Sequence, residues 1–222
     1  MLISECDREQ GQDSSLPYVE LCFSIIGQTL PADHGYGLYS AIAHCQEELH
    51  NLEGVSIQTI LGIPDNQGVI HLSDRSKLRI RLPAEKVPLV YPLAGKQLTI
   101  GKHAIRLGIP QIFVLEPAAR LRSRIVTIKG FQEPEPFLAA AKRQLDTLQI
   151  QGTLEIPLNE DGEPSRKAIK IKTYSVVGFS LEVTDISDED SIKLQALGLG
   201  GKRRMGCGIF NFISPAWRFD NV

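Results

Sequence analysis

Cysteine is scarce and scattered. The four residues, Cys6, Cys22, Cys45 and Cys207, form no C-x-x-C pair and have no histidine beside them at metal-ligand spacing. Such a pattern suggests neither a disulfide framework nor a zinc site. No apolar run approaches the roughly 20 residues that span a bilayer. The first residues include Glu5, Asp7, Glu9 and Asp13, where a secretory signal would be basic. The expected location is the cytoplasm, with no membrane partner. Strong net charge is missing too: 24 Lys and Arg stand against 26 Asp and Glu, a formal net charge of −2. That balance argues against a protein that coats nucleic acid non-specifically.

What the chain does have is enough length, 222 residues with 42% hydrophobic content, for one large domain or two smaller ones. Val19–Ile26 alternates as a strand, Asp33 stands where a helix cap belongs, and helical periodicity runs from His34 to about His50. Strand-like SIQTILGI, VIHL and KLRIRL follow, then a short helical segment at Glu85–Leu93 and a strand at Lys102–Leu107. This is the β-α-β-β-α-β order. The second half repeats it, with strands near Ser123–Lys129, Gln151–Pro157, Lys167–Lys172 and Ser175–Val183. Helices are expected at Pro134–Leu148 and Asp188–Leu197, and a last strand at Met205–Ile213. The fold class expected is α+β, two tandem ferredoxin-like domains over residues 1–113 and 114–222, with a C-terminal glycine-rich loop.

That loop, Gly198-Leu199-Gly200-Gly201-Lys202-Arg203-Arg204-Met205-Gly206-Cys207-Gly208, is the densest signal. Glycine lets another backbone approach closely, and neighbouring Lys and Arg supply donors suited to phosphate. A mononucleotide P-loop runs from a strand into a helix with a different spacing, whereas here a strand is expected after the glycines. Nucleic acid backbone is therefore the favoured partner. Arg75, Lys77, Arg79 and Arg81 alternate along one strand face, and Arg120, Arg122 and Arg124 repeat the device. Each of these features alone also fits a merely solvated turn or face; together they point to an anionic polymer.

On a helical wheel, Leu38, Ala41, Ile42, Cys45 and Leu49 form the core stripe, leaving Tyr36, Tyr39 and His50 on the opposite face. Imidazole, with an ordinary pKa of about 6.5, is suited to proton exchange at neutral pH. His34, at the first turn, reads as a local packing or helix-terminus residue.

The ordered set Leu30-Pro31, Asp33-His34-Gly35-Tyr36, Leu38-Tyr39, Leu49-His50 and Gly198–Phe210 resembles the CRISPR repeat-processing endoribonucleases of the RAMP superfamily. The resemblance spans nearly the whole chain. It implies cleavage of CRISPR repeat RNA without metal or cofactor, a 2′,3′-cyclic phosphate on the upstream product, and association with the mature guide RNA and other subunits of an effector complex. It puts His50, the histidine of the Leu-His pair, in catalysis as base or acid, with Tyr36, Tyr39 or Lys202 orienting the phosphate and His34 as a rival. It carries Lys202, Arg203 and Arg204, with Gly198, Gly200, Gly201, Gly206 and Gly208, over as RNA-binding residues. One departure matters: residues 51–56 lack the lysine some relatives place just after the histidine. The alternative is a non-catalytic RNA-binding subunit that scaffolds guide RNA, which has no need of outward-facing Tyr36, Tyr39 and His50.

Overall fold

A computed structural model of the protein describes residues 17–50 and 52–213. Cys6 and the acidic residues Glu5, Asp7, Glu9 and Asp13 lie outside the described residues. In chain order the first part comprises β1 (Tyr18–Ile26), β2 (Thr29–Pro31), α1 (Gly35–Cys45), β3 (Ser56–Ile57), β4 (Ile63–Pro64), β5 (Val69–His71), β6 (Lys77–Pro83), α2 (Val87–Val90), β7 (Gln97–Ile100) and β8 (His103–Val114). The second comprises β9 (Leu121–Val126), α3 (Pro134–Thr147), β10 (Thr153–Glu155), β11 (Arg166–Ile171), β12 (Tyr174–Thr184), α4 (Asp188–Leu197) and β13 (Asn211–Phe212).

The first large sheet is ordered β3-β6-β1-β8-β7 and the second β10-β12-β9-β13, with β11 hairpinned onto β12. In β1 and β6 the period of two is clean. Leu21, Phe23, Leu78, Ile80 and Leu82 face the first core, while Glu20, Cys22, Arg79 and Arg81 face the other way. The register sets Glu20 opposite Arg81 and Cys22 opposite Arg79. α1 seats Leu38 and Ile42, each at most 1% exposed, on this core, and each contributes about 1.5–3 kcal/mol through burial. The second core gathers Leu121, Phe137, Leu145, Phe179 and Leu194.

Three expectations need correction. Asp33 does not cap α1: its Oδ2 accepts from the Lys170 backbone N–H at 2.6 Å, tying the two parts of the chain together, and His34, which stands at the N-cap of α1, makes no side-chain cap bond. The α-helix stops at Cys45 because Gln46 is extended (φ −147°, ψ 89°), and a separate 3-10 turn then forms at Glu47–His50. The final strand is only Asn211–Phe212. Residues 206–210 instead return through loop hydrogen bonds such as Gly208 N–H to Ile125 O at 2.8 Å.

The two parts meet through a buried arginine. Arg81, 2% exposed, donates to the carbonyls of Gln195 and Phe210 at 2.8 Å each, and to Glu20 at 3.0 Å and Asn211 at 2.7 Å. Beside it, Tyr36 of α1 packs with Ile125, Ile169, Ile171 and Cys207 of the second part. No helix among the described residues is long and apolar enough to cross a membrane.

Candidate active site

The break at Gln46 decides where His50 points. In an unbroken helix, residues 39 and 50 would stand about 16 Å apart along the axis. The 3-10 turn instead folds the chain back, so that Tyr39 Oη and His50 Nδ1 lie 2.8 Å apart. The rings are stacked at 20° with centroids 6.0 Å apart. Tyr39 is buried while His50 is exposed. The outward tyrosine expected from the wheel is therefore a supporting residue beneath the histidine, and only the histidine faces solvent. His50 opens onto a shallow depression with Ala43, His44 and Glu47.

Arg204, from the glycine-rich loop, completes the cluster. Its guanidinium carbon lies 5.4 Å from the centre of the Tyr39 ring. Its Nη1 donates to the His50 carbonyl and reaches the Leu49 carbonyl at 3.4 Å. The loop is pressed onto α1 so tightly that a Cβ at Gly35 would lie 2.5 Å from the Met205 carbonyl oxygen.

His34 sits in a different environment at the other end of the helix. It is 2% exposed. Its Nδ1–H donates to the Pro31 carbonyl at 2.8 Å, and its Nε2 accepts from the Ile60 N–H at 2.9 Å. Accepting at Nε2 requires the proton on Nδ1, so the ring is neutral. Burial, above all, pushes its pKa below the ordinary value, with Arg124 adding to the effect. Both ring nitrogens are thus occupied by backbone partners. Tyr36 also points away from His50, into the contact with the second part.

The basic positions divide in the same way. Arg81 is an internal tie, and Arg79 bonds Glu20 at 2.7 Å. Lys77 is half-buried, and Arg75 lies exposed in the turn before β6. Arg120 and Arg122 flank the buried carboxylate of Glu182. In the loop, Arg203 donates to the Leu197 carbonyl. Gly198 and Gly208 are buried: a Cβ on either would come within 2.2 Å of a carbonyl oxygen of the facing strand of the loop. Gly206 is closed off by Thr59. These three glycines are closed against protein, as is Gly200, where a Cβ would lie 2.4 Å from the Thr127 carbonyl oxygen, while Gly201 and Lys202 are exposed.

Arg124 borders a cavity of about 50 Å³ with Gln58, Arg122, Lys167, Ser180 and Asn211, and its Nε, like that of Arg81, is buried with no hydrogen-bond partner among the described residues. Burial lowers the pKa of Lys167 there, helped by repulsion from Arg124 and Arg122. Cys207, buried nearby, has its thiol pushed up to about 11, chiefly by burial, so it is an inert core residue. No cluster of three or more His, Cys, Asp or Glu among the described residues has metal-site geometry.

Sequence reasoning missed Glu20, whose place opposite Arg81 follows from strand register, and Lys167. It also missed the contact of Arg204 with a helix end 154 positions earlier, for which no local signal exists.

Residues 19–214 match the family described as Cas6 Crispr. The chain is similar to the CRISPR-associated endonuclease Cas6 of Myxococcus xanthus (strain DK1622), with 35% identity over 193 residues covering 87% of this chain and 80% of the relative. Its fold is similar to that of a solved CRISPR associated protein Cas6, with a TM-score of 0.62, 13% identity, and coverage of 89% of this chain and 99% of the other. It is also similar to an RAMP protein described as binding different RNA substrates, with a TM-score of 0.60, 14% identity, and coverage of 89% and 100%. At those identities the solved structures speak for the fold, an α+β RAMP-like architecture. The match running from β1 to the last described strand, with the relative aligned over most of both chains, establishes that this chain belongs to the Cas6 family.

Proposed function

We propose that the protein cleaves CRISPR repeat RNA by internal transesterification, with His50 exchanging the proton. The endonuclease activity rests on family membership and on the 35%-identical endonuclease. One observation carries the mechanism: Tyr39 holds Nδ1 of an exposed His50 at 2.8 Å, and the other ring nitrogen, Nε2, has no partner among the described residues. With Nδ1–H donated to Tyr39 Oη, Nε2 presents a lone pair when the ring is neutral and a proton when it is charged. The 2′-hydroxyl oxygen attacks the adjacent phosphorus, the P–O5′ bond breaks, and a 2′,3′-cyclic phosphate and a 5′-hydroxyl result. Neutral Nε2 takes the 2′-hydroxyl proton; protonated Nε2 gives one to O5′. A rate that rises with pH to a plateau marks the base, and one that falls marks the acid.

RNA backbone binding is assigned to exposed Lys202 and Gly201, with half-buried Gly200 beside them. It extends to Arg122, Arg124 and Lys167 around the inter-sheet cavity, and to Arg75, Lys77 and Arg120 at the margins. The unpartnered Nε of Arg124 supports this reading because, unlike the equally unpartnered Nε of Arg81, it belongs to a side chain that borders the cavity, and a buried donor without a partner is costly. Division into ferredoxin-like units over 1–113 and 114–222 is supported by strand order. Counting β1, β3, β6 and β8 as one set of four and β9, β10, β12 and β13 as the other, each sheet lays its strands out as 2-3-1-4.

The test is repeat RNA carrying a single 2′-deoxy nucleotide upstream of the cut, incubated in EDTA beside unmodified RNA. Unmodified RNA is cut and the deoxy substrate is bound intact. Cleavage of the deoxy substrate contradicts the mechanism, and no cleavage of either favours a scaffold.

A further inference from the structure

The last carbonyls of a 3-10 turn have no partner within the turn, and an exposed histidine at such an end is free to swing with its backbone. Glu47–His50 is a turn of this kind. Its last two carbonyls, of Leu49 and His50, both lie within reach of Arg204 Nη1. The same guanidinium lies over the Tyr39 ring, and the hydroxyl of that ring holds His50 Nδ1. One side chain from the far end of the sequence thus grips the histidine twice, through its main chain and through the ring that orients its imidazole. A planar, forked cation suits both tasks at once, since it stacks flat on an aromatic face while its N–H groups reach carbonyls; an ammonium supplies a single point of charge. The loop that carries Arg204 is fixed in turn. Met205 N–H bonds the Lys202 carbonyl at 2.8 Å, and the Met205 carbonyl abuts Gly35 at the start of α1.

We propose that Arg204 is a positioning residue for His50, holding it in catalytic orientation through the Leu49 and His50 carbonyls and the Tyr39 ring. It does not act as a phosphate ligand. The catalytic geometry of the first sheet's helix is therefore completed by a loop of the second part of the chain. Lys202, two residues earlier and exposed, is the cation of that loop left free for RNA. This inference rests on the reading of His50 as the catalytic residue.

The test compares Arg204→Ala, Arg204→Lys, Lys202→Ala and His50→Ala in the full chain. Single-turnover cleavage is measured at saturating protein, and affinity is measured separately on 2′-deoxy repeat RNA across a salt series. Both Arg204 variants are expected to cleave about 10- to 100-fold more slowly, the scale of a misplaced reacting group. Their dissociation constants are expected to stay within about twofold of the wild type, with an unchanged salt slope. The lysine variant, which keeps the charge, does not restore the rate. Lys202→Ala shows the converse signature, weaker binding and a shallower slope. Melting curves on each variant identify any that are unfolded at the assay temperature; for these, Arg204→Lys and the ring nitrogen NMR shifts of His50 supply the reading. The shifts are expected to move in Arg204→Lys as the Tyr39 contact loosens. Full recovery of rate by Arg204→Lys, or an Arg204→Ala loss confined to affinity and slope, overturns the positioning role. A slow His50→Ala beside normal Arg204 variants removes this inference alone, whereas a wild-type rate in His50→Ala removes the catalytic reading and this inference with it.

Discussion

His34 and His50 bracket the same short helix and share a side chain, yet the protein uses them in opposite ways. At the helix start, both imidazole nitrogens are bonded to backbone, the ring is 2% exposed and burial keeps it neutral. At the other end, one nitrogen is held by a tyrosine and the ring stands in solvent. Reactivity follows from the hydrogen-bonding capacity left over, so the residue type alone does not mark a catalyst. The arginines divide along the same line. The two terminal nitrogens of Arg81 are bonded to protein partners, whereas Arg124 borders a cavity; the Nε of each has no partner among the described residues.

Removing a group bonded on both sides of the molecule has the largest expected effect. Arg81→Ala leaves the Glu20 carboxylate short of a partner and the Gln195 and Phe210 carbonyls unsatisfied, and it is expected to cost about 3–5 kcal/mol of stability. Denaturant unfolding measures it, and a change below about 1 kcal/mol would show that the tie is dispensable. His34→Ala strands the Ile60 N–H and the Pro31 carbonyl and is expected to cost about 2–4 kcal/mol, read in the same experiment.

The same histidine has a pH signature. Because its folded pKa is depressed, the unfolded chain takes up a proton at residue 34 as pH falls through about 6.5 while the folded chain resists. Its stabilising contribution is thus present above that pH and is lost as pH drops towards the folded pKa. Stability measured from pH 7 to pH 5 should decline less steeply in His34→Gln than in the wild type. An identical decline would assign the acid sensitivity elsewhere. The smallest effect concerns the loop: Lys202→Ala should reduce the log–log salt slope of RNA binding by about 0.7–0.9, one phosphate contact. Replacing Lys202, Arg203 and Arg204 together should change it by no more than that single contact. A threefold larger change would mean that Arg203 and Arg204 also meet phosphate.

The fold was largely legible in the sequence because it rests on periodicity. Alternation in β1 and β6 and the stripe Leu38, Ile42 and Leu49 all mark buried positions. Where the wheel failed, the cause was local. It assumed an unbroken helix through His50, and the extended Gln46 rotates everything beyond it, so Tyr39 became a buried support. Both histidines were candidates on sequence, and only the partners of their ring nitrogens separate them. The basic stripes show the same limit: alternation put Arg79 and Arg81 on one face, but whether that face meets solvent or the second sheet depends on tertiary docking. The contact of Arg204 with the helix end is of this kind as well, since long-range pairing leaves no trace in spacing.

The division between the two histidines is tested most directly by single-turnover cleavage of one repeat RNA by His50→Ala and His34→Gln, each at a temperature where it is folded. The account predicts a loss of about 10²- to 10⁴-fold for His50→Ala, the range for one general acid or base, with RNA binding kept and a near wild-type rate for His34→Gln. Wild-type cleavage by His50→Ala together with an inactive, folded His34→Gln would contradict it and move the chemistry to the start of the helix.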